Sequence, residues 1–143
     1  MTIRPRAIRA LRDVRMRLRD AAAASHATAS AARDTSHLAL VSQRESLDDF
    51  LDEASEMLAA ASNVHDLCSV GDITGEFELE VADASARHDE AVAAVAISAD
   101  HLRDRSRQLR RAEKMVERVD LDRARVDARG EQRMNDDLST RRR

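Results

Sequence analysis

Apolar and small residues recur at alternating intervals of three and four along most of this chain, the spacing that keeps one face of an α-helix apolar. Pro5 suits a first helical turn, where its missing N–H is not needed. After it the stripe runs Leu11, Val14, Leu18, Ala21, Ser25, Thr28 and Ala32. It changes phase between Thr35 and Leu40, then resumes as Leu40, Leu47, Leu51, Ala54, Leu58 and Ala61. A slip of phase over- or underwinds a supercoil locally without ending the helix. The pattern therefore predicts a first helix from about residue 5 to about 66, packed least tightly in its middle.

Between Asn63 and Glu76 the periodicity dissolves, and Gly71 offers a helix C-cap that tolerates positive φ. Asp72 or Thr74 can cap the helix that follows, so a turn is predicted at 67–75 and a second helix at about 76–140. The second helix is the more regular. One seam position reads Val81, His88, Val95, Leu102, Leu109 and Val116, and its partner reads Phe77, Ala84, Ala91, Ser98, Arg105, Ala112, Val119 and Val126. Such spacing sustained over more than four heptads is a strong coiled-coil signal. Beyond Val126 the seam positions become Gly130, Arg133 and Asp137, which leaves the last turns exposed or packed only on a partner. The predicted fold class is all-α: one long antiparallel two-helix coiled-coil hairpin over residues 1–143, with arms of matched length. Its seam would hold Leu11, Leu18, Leu47, Leu51 and Leu58 against Val81, Val95, Leu102, Leu109 and Val116.

Composition supports this and narrows the chemistry. The chain has no Trp, no Tyr and two Phe, Phe50 and Phe77, so a compact aromatic core is excluded. Charged residues make up 36% of it, a proportion shared by disordered chains, and the ordered apolar spacing decides for helix. Cys68 stands alone, so no internal disulfide forms. No apolar run approaches the roughly 20 residues that span a bilayer. The Arg-rich start and the Ala/Ser-rich stretch after it have the composition of a transit peptide, but Asp13 and Asp20 break the acid-free pattern. A cytoplasmic location is expected. His65 and Cys68 could share a metal, but two ligands make no site, and His88 at a seam position reads as a polar register device. The Gly71–Gly75 segment lacks the Gly-Lys-Ser/Thr of a phosphate loop. No catalytic residue, cofactor or metal is expected, and the chain does not read as an enzyme.

Charge is distributed unevenly. Residues 1–20 hold seven Arg and two Asp, a balance of +5. Residues 45–90 hold fourteen acids against Arg87, a balance of −13, and residues 91–143 return to +4. A hairpin of this sequence has a basic open end and an acidic turn end, and opposite potentials suit different partners. Nucleic acid fits poorly, because net charge is −3 and no aromatic is available at the basic end for base stacking. Ile8, Leu11 and Leu18 against an Arg face also make the first turns a basic amphipathic helix of the kind that lies on membrane surfaces.

In the C-terminal half, Arg111-Ala112-Glu113-Lys114-Met115-Val116-Glu117-Arg118 is followed by Arg129-Gly130-Glu131-Gln132-Arg133-Met134-Asn135-Asp136-Asp137-Leu138. These runs resemble the FliJ/YscO family, the central-stalk proteins of flagellar and injectisome type III secretion. The resemblance implies a hairpin similar to the gamma subunit of rotary ATPases. Its terminal end would bind the secretion ATPase hexamer and promote ring assembly and activity, linking it to the export-gate membrane protein, with secretion chaperones as further partners. By that match Glu131, Gln132, Arg133, Asp136 and Asp137 face the ATPase. The charge map adds Arg6, Arg9, Arg12 and Arg129 to that end. The protein would then work in the cytoplasm, peripheral to a membrane apparatus, and be a monomer when free. The alternative is a structural coiled-coil scaffold, or a secreted helical-hairpin interaction protein, with no connection to an ATPase.

Overall fold

A computed structural model describes residues 5–60 and 63–140, with backbone alone from 137 onward. It contains two helices, α1 (Pro5–Ala60, 56 residues) and α2 (Val64–Thr140, 77 residues), and no strand among the described residues. The chain divides into two compact units, one of Met1–Ala23 with His101–Arg143, the other of Ala24–Asp100. In the first, Arg9 reaches Asp120 and Arg15 reaches Gln108. In the second, His26 pairs with Ser98, Ser36 with His88, and Phe50 with Phe77. As the α1 number rises its α2 partner's falls, so both units are antiparallel helix pairs and the fold is the expected coiled-coil hairpin.

The seam of α2 follows its sequence pattern. In the first unit Leu109 and Ala112 are buried, and Leu102, Arg105, Val116 and Val119 are half-buried. In the second, Val70 and Ala84 are buried, and Phe77, Val81, His88, Ala91, Val95 and Ser98 are half-buried. Val126, expected to continue the seam, is 65% exposed. From 121 to 136 every side chain of α2 is exposed, so the expectation of uncovered last turns holds.

The seam of α1 departs from expectation. All seven residues of the first stripe, from Leu11 to Ala32, are exposed. The positions turned inward are each one residue later: Arg12, Arg15, Arg19 and Ala22 in the first unit, then His26, Ala29 and Arg33 in the second. No phase slip follows, because 36, 40, 43, 47, 50 and 54 continue the same alternation. Leu47 is on this seam, but Leu51 and Leu58 are each 44% exposed, with Phe50 and Ala54 in their place. The reason is cooperative. Leu40, Leu47 and Ala54 set a heptad that, counted back in sevens, lands on Arg33, His26, Arg19 and Arg12. Arginine tolerates such positions because its methylene stem covers apolar surface while the guanidinium reaches out.

The break between the helices also differs from the predicted turn at 67–75. Asn63 caps α2: the backbone N–H of Asp66 donates to Asn63 Oδ1 at 2.9 Å, and the Asp66 carboxylate stands in the first turn, favourable to the helix dipole. Gly71, Asp72, Thr74 and Gly75 are inside the helix, and no described glycine has positive φ. Ser69 and Thr74 donate to the carbonyls of His65 and Val70, four residues back, which leaves the ladder intact. With the break this early, α1 and α2 are unequal in length, not matched.

Candidate partner-binding surface

Small residues on the seam bury little, and no side chain among the described residues is buried completely with a large volume. What distinguishes the molecule is therefore its outer surface. The unit containing both ends of the chain has 21 bases against 11 acids, a balance of +10, and the other has 3 against 16, a balance of −13.

In the basic unit the arginines of α1 are largely occupied within the fold. Arg9 donates to Asp120 Oδ1 at 2.7 Å, an ion pair with both partners about half exposed. Arg12 turns its Nε and Nη2 onto its neighbour Asp13 at 3.0 and 2.7 Å. Arg15 donates across the seam to the Gln108 carbonyl at 2.8 Å. Arg19 pairs with Asp20 at 3.0 Å, while its own Nε is buried without a partner. Arg6 is exposed. On α2, Arg129, Glu131, Gln132, Arg133 and Asp136 are all exposed, and Asp137 is helical with its side chain outside the described residues.

Arg9 and Arg12 are set back from the α2 residues, with Arg6 between them. Arg9 is level with Asp120, and Arg129 to Asp136 follow it by nine to sixteen residues of α2. At 1.5 Å per residue that places them roughly 13 to 24 Å further along the helix. Most of the cationic face of α1 therefore lies apart from the uncovered end of α2, and Arg6 alone of the α1 set comes near it. Between the arginines of α1 stands a third surface that composition and charge did not disclose: Leu11, Val14 and Leu18, 37%, 52% and 41% exposed. Their 3–4 spacing was legible, and it was read as the seam itself and, for Leu11 and Leu18 with Ile8, as the apolar face of a basic amphipathic helix.

In the acidic unit, Phe50 and Phe77 stack with centroids 5.0 Å apart, and an open cavity of about 340 Å³ beside them is lined by Met57, Ala60, Asp66, Ser69, Val70 and Ile73. The two aromatics were visible in the sequence, but their pairing depends on register. His88 is held by Ser36 Oγ at 3.2 Å and lies 5.3 Å from the His37 ring, consistent with a satisfied polar seam residue. His65 and Cys68 are exposed, and no cluster of three metal-ligating side chains occurs among the described residues.

No helix among those described is long and apolar enough to cross a membrane. No curated protein and no solved structure gives a significant match to the chain. The family model of the flagellar FliJ protein matches residues 5–143, which takes in both helices and both units. The chain belongs to the FliJ family, the stalk proteins of type III export.

Proposed function

We propose that this stalk protein binds the secretion ATPase ring through its basic unit, promotes the ring's assembly and activity, and links it to the export gate. The observation that carries this reading is the run 121–136 of α2, a stretch of helix with every side chain exposed, within a unit of balance +10. A helix with so little intramolecular cover gains from a partner that buries its Leu121, Val126 and Met134, which are 53%, 65% and 62% exposed. Arg129 and Arg133 lie on that stretch and Arg6 on the facing helix; Arg9 and Arg12 contribute less, being engaged with Asp120 and Asp13. The acidic unit, with its opposite potential, serves a different partner, such as the gate protein or a secretion chaperone. The free protein is a monomer that works in the cytoplasm at the membrane apparatus.

The test is stimulation of the cognate ATPase by added protein. Arg129→Glu with Arg133→Glu is expected to remove most of the stimulation and its salt dependence, whereas Arg9→Glu with Arg12→Glu has a smaller effect. Full stimulation by the Arg129/Arg133 variant would refute the assignment of this surface.

A further inference from the structure

We propose that Leu11, Val14 and Leu18 on α1 form a docking stripe for an acidic amphipathic helix of a partner protein, which packs there as a third strand. The inference rests on the reading that the basic unit is a partner-binding one, and it names the chemistry of the element that binds. Three observations carry it. The stripe has the 3–4 spacing of a coiled-coil seam, yet it is turned about 100° around α1 from the seam in use, because it runs one residue ahead of it. The cross-seam partner α2 is engaged through Leu109 and Ala112, and the stripe is left only partly covered, with Leu11, Val14 and Leu18 37%, 52% and 41% exposed. Finally, the flanks are cationic: Arg15 lies one turn from Leu11 and Leu18 on one side, and the exposed Arg17 lies beside Val14 on the other. The acids of α1 next to the stripe, Asp13 and Asp20, are paired with Arg12 and Arg19.

Those flanks select the occupant. A helix with Glu at the positions bordering its own apolar seam meets the exposed Arg17 favourably, and the charge of Arg15 adds to the potential although its Nη1 is already held by the Gln108 carbonyl. A second copy docked through the same stripe would bring arginine against arginine. A bilayer is a poorer match, because Ile8, which would widen the apolar face, is 6% exposed and belongs to the inner seam.

The probe is a labelled 28-residue peptide with Leu at both seam positions of each heptad and Glu at the flanking ones, alongside the same peptide with Lys for Glu. Fluorescence anisotropy against the full-length chain is expected to show binding of the Glu peptide and at least tenfold weaker binding of the Lys peptide. Leu11→Ser with Val14→Ser and Leu18→Ser should weaken the Glu peptide about tenfold or more while leaving the helical circular dichroism unchanged, since all three side chains are exposed. Arg17→Glu, which removes no apolar contact, should narrow or invert the preference between peptides. Equal binding of both peptides, indifference to the triple serine variant, stripe-dependent self-association in sedimentation, or stripe-dependent binding to phosphatidylglycerol vesicles in place of the peptide would each overturn the proposal. If peptide binding fails while ATPase stimulation persists, the third-strand inference alone falls. Peptide binding without any ATPase stimulation would instead remove the broader reading.

Discussion

Replacing Gly71 by Ala decides where the hairpin turns. The residue is inside α2 with helical φ, and a Cβ built on it meets nothing within 4 Å. Alanine in a helix interior is favoured over glycine by about 1 kcal/mol, mostly from the freedom glycine loses on folding. With no clash to set against it, Gly71→Ala should stabilise by most of that amount and raise Tm by a few degrees. Had residues 67–75 formed the turn, Gly71 would occupy the left-handed region, where a Cβ costs about 1–2 kcal/mol, and the sign would reverse. The partner experiment is Asn63→Ala, which removes the cap on the Asp66 N–H and should cost about 1 kcal/mol. Urea unfolding followed by circular dichroism at 222 nm resolves both changes, provided the m-value stays constant. A destabilised Gly71→Ala together with a neutral Asn63→Ala would refute the placement of the turn.

Arg19→Leu should stabilise by about 1 kcal/mol in the same assay, since it removes a buried Nε without a partner from the seam and loses only a solvent-exposed pair with Asp20. A double-mutant cycle on Phe50→Ala and Phe77→Ala should return a coupling of about 0.5–1.5 kcal/mol from the 5.0 Å stack; additive losses would mean the rings do not meet. Arg9→Ala should change stability by less than about 1 kcal/mol, and by less still at high salt, because its pair with Asp120 is half exposed on both sides.

How much was legible differs between the helices, for a physical reason. In α2 Phe77, Val81, Val95, Leu102, Leu109, Val116 and Val119 fall on one heptad pattern, and although Leu79, Val92 and Ile97 lie off it and are exposed, the repeat was regular enough to locate the seam directly. In α1 the two criteria conflict. The largest apolar residues near its start are Leu11, Val14 and Leu18, while the heptad anchored by Leu40, Leu47 and Ala54 requires Arg12, Arg15 and Arg19 at the interface. Composition favours the first register, and the continuous helix favours the second. An apparent phase slip near Thr35–Leu40 was the trace of that conflict, because shifting between registers by one residue produces just such an offset. The turn was misplaced by a similar competition. Three strong signals, Gly71, Asp72 and Thr74, lie close together, but Asn63 followed three residues later by Asp66 supplies an actual cap and ends the break sooner. Glycine permits a turn without requiring one, whereas a capped N-terminus holds its backbone donors.

The same conflict bears on function. A seam that places arginine where leucine would pack better loses apolar burial, and in exchange it leaves a leucine stripe on the outside of a basic unit. In an isolated two-helix hairpin that exchange stabilises nothing. It makes physical sense in a protein whose stability is completed by partners, because exposed apolar residues at heptad spacing become contacts once another helix arrives. The uncovered run of α2 from 121 to 136 obeys the same logic. Together they distinguish a stalk from a self-sufficient scaffold: a scaffold would place its leucines on the inner seam, and Arg12→Leu with Arg15→Leu and Arg19→Leu should convert this unit towards one. That triple variant is expected to unfold at higher urea concentration than the parent. If it also kept full ATPase stimulation, the seam arginines would have no part in binding, and their presence would be a matter of register alone.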